Sequence, residues 1–348
     1  MSYFRPAIDA LRGYTPGEQP QAGKFIKLNT NENPYRCSPA VDLAIQAALR
    51  SGLDRYPDPL ANAFRLRAAD LLGVEPDWVL CGNGSDEILT VVMRAFVDPG
   101  QLVRLPYPSY VLYKTLAGIQ GARSEEVPFE ADWSLGPRFV AADDKLRLAL
   151  LPNPNSPSGT VLPKARVLEL AEQLDCPLLV DEAYADFAEQ SCVDLVARSE
   201  KILVSRSLSK SYALAGLRFG FVVAQPRVIA GLAKVKDSYN CDALSIAGAT
   251  AAIDDQSWLA ETRAKILATR QRLTEAMRSR GFRAVPSQAN FVWCTRPDRA
   301  PVRPIYEKLK QQRVLVRYMD YPGWGEGLRI SVGTESQIDA LLSLLEKG

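Results

Sequence analysis

The chain has 348 residues, enough for more than one hydrophobic core, and its hydrophobic (47%) and charged (24%) fractions are those of a folded globular protein. A net charge of +2 gives no reason to expect nucleic acid or an anionic membrane as a partner, and no apolar run is long enough to span a bilayer. The sequence contains no histidine, which removes Ser-His-Asp and Cys-His catalysis and imidazole-bound zinc, and leaves lysine, carboxylate, tyrosine or a cofactor to move protons.

The first ten residues carry Arg5 and Asp9 without an apolar stretch, so a secretory leader is not expected there. Ser38-Pro39 reads as a cap and first turn, with Val41, Ala44, Ile45, Ala48 and Leu49 at helical spacing and Gly52 as the stop. Trp78 to Cys81 reads as a short strand that breaks at Gly82-Asn83-Gly84. A helix with Ile88, Leu89, Val92, Met93 and Phe96 on one face follows it. Gln101 to Leu105, Lys145 to Leu151, Pro177 to Val180 and Lys201 to Ser205 are further apolar runs, each closed by polar residues or proline, and Gly220 to Ala224 adds another. Buried strands separated by helices predict an α/β fold: a large domain whose mostly parallel sheet is covered by helices on both faces.

From Trp258 to Arg280 the pattern is one long amphipathic helix ended by Gly281. Beyond it, strands at Phe291 to Cys294, Val314 to Arg317 and Leu328 to Val332 bracket a helix near Ile305 to Gln311. Thr334 to Gln337 resembles a capping box before a last helix. The expected division is a large domain of residues 38–257 and a smaller α+β domain made of 1–37 with 258–348. Six cysteines, at 37, 81, 176, 192, 241 and 294, have no paired spacing and read as free thiols of a reducing compartment, the cytoplasm.

In an open α/β sheet, ligands bind beyond the carboxyl ends of the strands, and here those ends carry the chemistry. Leu178 to Val180 runs into Asp181-Glu182-Ala183-Tyr184. Ile202 to Ser205 runs into Arg206-Ser207-Leu208-Ser209-Lys210, with Arg218 eight residues on, and Leu148 to Leu151 runs into a Pro/Asn-rich loop through Gly159. Singly, each has a commonplace role: Asp181 as a helix cap, the loop as a turn, Gly82-x-Gly84 as a pair without the third glycine of a dinucleotide fingerprint. Together they describe one ligand. A helix opening at Ser85 and Asp86 offers backbone amides to an anion, and Ser207, Ser209 and Arg218 add donors suited to a phosphate. A strand-end carboxylate stabilises a protonated pyridine nitrogen, and a lysine one strand away forms an imine. These are the protein parts expected for pyridoxal phosphate, and Lys210 would serve as the base, its pKa lowered by burial and by Arg218.

In these residues the sequence resembles the fold-type I aminotransferases that depend on pyridoxal phosphate, and among them the histidinol-phosphate aminotransferase family. The stretches YTPGEQP, KLNTNENPY, RYPDP, GNGSDE, PYPSY, NPNSPSG, VDEAY, SLSKSYALAGLRFGF, PSQANF, VLVRY and LRISVGT run from Tyr14 to Thr334 in family order. The resemblance implies Lys210 as the Schiff-base lysine, Asp181 against the pyridinium nitrogen and Tyr184 on the ring hydroxyl. It implies Tyr110 stacked on the ring, with Ser85, Asp86, Ser207, Ser209 and Arg218 on the phosphate. Tyr56 would reach the phosphate of the neighbouring subunit of a homodimer, and Arg329, Arg317 and Tyr14 would surround the substrate's anion.

One position departs from the family. Its asparagine before the proline of this turn is Ser156 here, preceded by Asn155, so either Asn155 reaches round to the ring hydroxyl or Ser156 bonds it. The implied reaction is transamination between histidinol phosphate and 2-oxoglutarate, a step of histidine biosynthesis, with small-molecule partners and no metal. Aromatic amino acid transamination and a threonine-phosphate decarboxylase-like lyase share most of these motifs. A regulator that keeps the domain for sensing needs a DNA-binding region ahead of Tyr14, and the thirteen residues there are too few for one.

Overall fold

The computed structural model describes residues 2–11, 13, 17–20 and 23–346. A short strand, β1 (Ile26–Leu28), precedes the helix Pro39–Arg50, whose cap is Ser38, the side chain accepting from the Ala40 amide. The larger sheet is built from β2 (Val79–Gly82), β3 (Leu102–Tyr107), β4 (Arg123–Pro128), β5 (Leu146–Pro152), β6 (Leu178–Asp181), β7 (Ile202–Ser207) and β8 (Gly220–Val223), in spatial order β2-β8-β7-β6-β5-β3-β4. Neighbours are parallel except around β8, which is antiparallel to both β2 and β7. Alternate residues along each strand point to opposite faces, and each face has its own core. Leu148 and Leu150 of β5 join Leu179 and Leu203 on one side, while Ala149 and Leu151 join Val180 and Val204 on the other.

An arginine sits inside this apolar sheet. Arg104, at the centre of β3, is fully buried; its Nε donates to Glu125 Oε2 of β4 at 2.8 Å, and its Nη1 donates to the carbonyls of Phe139 (3.2 Å) and Ala141 (2.6 Å). A buried guanidinium is tolerated only when paired and hydrogen-bonded in this way.

The second sheet adds β9 (Arg283–Ala284), β10 (Phe291–Thr295), β11 (Val314–Tyr321) and β12 (Gly325–Ser331), in order β1-β11-β12-β10-β9. Here β1 runs parallel to β11 and the remaining pairs are antiparallel. The helix Gln256–Ser279 ties the two sheets together: Leu259 enters a core of the larger sheet, whereas Leu273 and Met277 pack with Leu28, Val316 and Ile330 of the smaller one. The predicted capping box is present, with the Thr334 amide donating to Gln337 Oε1 (2.9 Å) and the Gln337 amide to Thr334 Oγ1 (3.3 Å), ahead of the helix Glu335–Glu346. Among the described residues no helix is long and apolar enough to cross a membrane.

Candidate active site

The carboxyl ends of β2, β5, β6 and β7 and the amino end of β8 open onto one cavity of about 240 Å³, closed on the far side by Gly17, Gln19, Asn29, Thr30 and Asn31 and by β11 and β12. At one end lies the N-terminus of the helix Ser85–Phe96, whose first amides have no partner within the helix. Two glycines let the surrounding groups approach. A Cβ on Gly84 (φ +79°) would lie 2.5 Å from Arg218 Nη2, and one on Gly220 would lie 2.6 Å from the Ser85 nitrogen. Arg218 is itself left-handed (φ 56°), and its Nη1 donates to Ser209 Oγ at 3.3 Å while the Ser209 amide donates to Ser207 Oγ at 3.2 Å. Asp86 can offer an anion only its backbone amide. Its carboxylate accepts from Tyr110 OH and from Arg218 Nη2, both at 3.3 Å.

At the centre, Asp181 closes β6 and is buried. Its Oδ1 accepts from the Ala183 amide (3.1 Å) and Ser205 Oγ (3.3 Å), and its Oδ2 from Tyr113 OH (2.7 Å). Burial pushes this carboxyl above its usual range, and the three donors work against that shift by stabilising the charged form. Tyr184 OH accepts from Asn31 Nδ2 at 2.9 Å, with its ring edge-on to Phe291; burial raises its phenol.

Lys210 Nζ donates to the Thr30 carbonyl at 3.2 Å and stands 5.9 Å from the Tyr184 ring centre. Its pKa is lowered to about 8, first by burial and next by Arg329, with Glu32 and Asp86 opposing. The sequence pointed to Arg218 as the charge responsible; Arg218 contributes, but less than Arg329.

Arg329 and Arg317 form the opposite wall. They are register partners on β12 and β11, so their side chains share one face of the sheet, and both line the cavity. Arg329 Nη1 donates to Ser156 Oγ (2.9 Å) and Nη2 to the Asn29 carbonyl (3.1 Å), while its buried Nε has no partner. Like charges set opposite one another on paired strands are unfavourable unless something negative lies between them. An anion placed between the two guanidinium groups would offset that repulsion.

The cavity thus gathers Ser85, Asp86, Tyr110, Asp181, Tyr184, Ser207, Ser209, Lys210, Arg218, Arg317 and Arg329. It does not gather Asn155, whose Nδ2 turns away to the Pro108 carbonyl (3.2 Å) and Ser158 Oγ (2.9 Å); Ser156 faces the cavity instead. Tyr56 is also outside it, 81% exposed and stacked on Tyr239 at 4.4 Å. Tyr14 lies outside the described residues. Sequence reasoning gave no role to Tyr113 or to Thr30 and Asn31. The only signal for the last two was the asparagine-rich stretch KLNTNENPY, and Tyr113 carried none.

Comparison with known proteins finds similar sequences and folds. The family model of aminotransferase class I and II matches residues 23–345. Histidinol-phosphate aminotransferase of Rhodopirellula baltica is 58% identical over 345 residues, covering 99% of this chain and 95% of that protein. Histidinol-phosphate aminotransferase 1 of Trichormus variabilis is 45% identical over 346 residues, covering 99% and 98%. Among solved structures, histidinol-phosphate aminotransferase from Sinorhizobium meliloti in complex with pyridoxal-5'-phosphate is similar with a TM-score of 0.90 at 26% identity, covering 100% of this chain and 98% of that one.

Proposed function

The chain belongs to the aminotransferase class I and II family, and from that premise we propose that it transfers an amino group between histidinol phosphate and 2-oxoglutarate, giving imidazole-acetol phosphate and glutamate in histidine biosynthesis. The observation that carries the substrate is the opposed pair Arg317 and Arg329 in the cavity wall. A phosphate dianion gains more from two charge-assisted contacts than a single carboxylate does, and the same pair accepts glutamate's carboxylate in the other half of the reaction.

The cavity fits pyridoxal 5'-phosphate. A helix N-terminus, two serine hydroxyls and Arg218 converge at one end, held close by two glycines that leave no room for a side chain. A buried carboxylate stands at the centre and an amine of low pKa beside it. Bound there, the cofactor supplies an electron sink for charge developing on the substrate's α-carbon. The chain's residues do the rest. Lys210, with a pKa of about 8, takes the α-proton and returns it near neutral pH. Asp181 would keep a proton on the cofactor's ring nitrogen, Tyr184 and Ser156 would bond its ring hydroxyl, and Tyr110 would cover its ring. The arginine pair would hold the substrate's far end.

The same reading makes the working unit a homodimer. Tyr56 and Tyr239, and Leu43, Leu49 and Leu53 beside them in sequence or on the preceding helix, are exposed aromatic and apolar groups of the kind a second copy covers, and Tyr56 is turned away from its own cavity. It also divides the chain into a cofactor-binding domain of residues 38–257, which contains all of the seven-stranded sheet, and a smaller domain of 1–37 with 258–348, which contains all of the five-stranded one. Six unpaired cysteines suit the cytoplasm as its compartment.

The test is a coupled assay with histidinol phosphate and 2-oxoglutarate, run beside phenylalanine and threonine phosphate. The highest kcat/KM is expected on histidinol phosphate. A higher value on phenylalanine, or release of carbon dioxide from threonine phosphate, overturns the substrate.

A further inference from the structure

We infer that Tyr113 is a positioning residue for the reaction: its phenol orients the Asp181 carboxylate and holds, by its own hydrogen bond, the oxygen that meets the cofactor's ring nitrogen. This rests on the reading of the cavity as a pyridoxal-phosphate site and deepens it. Each oxygen of an ionised carboxylate has two lone-pair positions. Oδ1 of Asp181 already accepts two hydrogen bonds, from the Ala183 amide and Ser205 Oγ. Among the described residues Oδ2 accepts one, from Tyr113 OH at 2.7 Å. Oδ2 is therefore the oxygen with capacity left for the proton on the ring nitrogen, and Tyr113 decides where that oxygen points.

The phenol is placed to do this without moving. Tyr113 lies in the helix Leu112–Gln120, is completely buried, and lines the cavity. Its ring stands edge-to-face against Tyr110, with centres 5.5 Å apart and planes at 85°, so the same side chain braces the cavity's aromatic wall. Burial and the neighbouring carboxylate push its own ionisation well upward, so it remains a donor across the working pH range. Asp181 in turn is pulled toward its neutral form by burial, and Tyr113 is the first of the groups that oppose this. A neutral carboxyl would no longer favour a protonated ring.

The experiment uses the holoenzyme and the visible absorption of pyridoxal phosphate bound at Lys210, titrated with pH. Tyr113→Phe keeps the ring and its packing and removes only the hydroxyl. A proton on the ring nitrogen makes Lys210 Nζ, once bonded to the cofactor's carbon, less basic, so loosening that proton moves the titration midpoint upward. The expected shift is about one pH unit, with a fall in kcat of about ten- to hundredfold, the range of a hydrogen bond to a charged group. KM for histidinol phosphate stays within about twofold, because the substrate's anion site is untouched.

Ser205→Ala removes a bond to the saturated oxygen and is expected to move the midpoint less. In an Asp181→Asn background, Tyr113→Phe is expected to add nothing. An unchanged midpoint in Tyr113→Phe overturns the inference. So does a Ser205→Ala shift as large as that of Tyr113→Phe, or an undiminished effect in the Asp181→Asn background. A wild-type protein that develops no visible band with added pyridoxal phosphate overturns the reading of the cavity, and the inference with it.

Discussion

Arg329, the arginine proposed to receive the substrate's anion, is also the charge that most depresses Lys210. Anion binding at Arg329 therefore weakens that repulsion, and the amine becomes a stronger base when substrate is bound. Without substrate its pKa is about 8, so about half of it is neutral at pH 8, against under about 1% for an ordinary lysine. Because only the neutral amine attacks an aldehyde, covalent uptake of pyridoxal phosphate by the apoprotein should speed up with rising pH and level off above about pH 8. A rate still climbing tenfold per unit at pH 9 to 10, followed by stopped-flow absorbance, would contradict the lowered pKa. Arg317→Ala should cut kcat/KM for histidinol phosphate about tenfold more than for glutamate, since the dianion loses the second of two charge-assisted contacts. An unchanged ratio removes Arg317 from the site. Lys210, Asp181 and Arg218 were legible in the sequence because they follow apolar strands, where nothing structural requires a lysine or a buried carboxylate. Tyr113 was not, because an aromatic residue on a buried helix looks the same whether it packs or positions.

Strands that end in polar clusters could be read in the same way, and β2, β3, β5, β6, β7 and β8 lie within about two residues of their expected bounds. The missed elements had no such signature. β1 has three residues, and β4 reads Arg-Ser-Glu-Glu-Val-Pro, a charged composition that protects a sheet edge from further pairing and disguises it as a loop. The helix Ala243–Asp254 is apolar on nearly every side, so no periodic face announced it. That β4 glutamates are structural gives a stability prediction. Glu125→Leu leaves Arg104 buried beside an apolar group and should cost about 3–5 kcal/mol, read from the urea midpoint. The double variant Arg104→Leu, Glu125→Leu should recover most of it. A Glu125→Leu protein with an unmoved midpoint would mean that the two carbonyls alone satisfy the guanidinium.

On the scale of the molecule, the fold class and the order of elements were readable, but the pairing of distant segments was not. No pattern in Ile26-Lys27-Leu28 says that it lies beside Val314 to Val316. The quaternary prediction likewise rests on exposed side chains, Tyr56 and Tyr239 with the leucines near them. Light scattering should give a dimer, and Tyr56→Phe should lose cofactor faster on dialysis. Hybrids of Tyr56→Phe with Lys210→Ala should regain one fully native site per dimer, where Lys210 of one chain meets Tyr56 of the other; a fully active monomer would rule this out. The meeting of remote segments also sets a schedule. Asn31 hydrogen-bonds Ser331, and Arg329 reaches the Asn29 carbonyl, in each case across 300 residues of chain. During synthesis, then, the seven-stranded sheet can form while the cavity still lacks its far wall, because β12 has not yet left the ribosome. Until it does, Lys210 has neither the cover of Thr30 nor the charge of Arg329. An unfinished chain therefore carries a lysine nearer its ordinary, protonated state, and the full depression of its pKa arrives with the last strand.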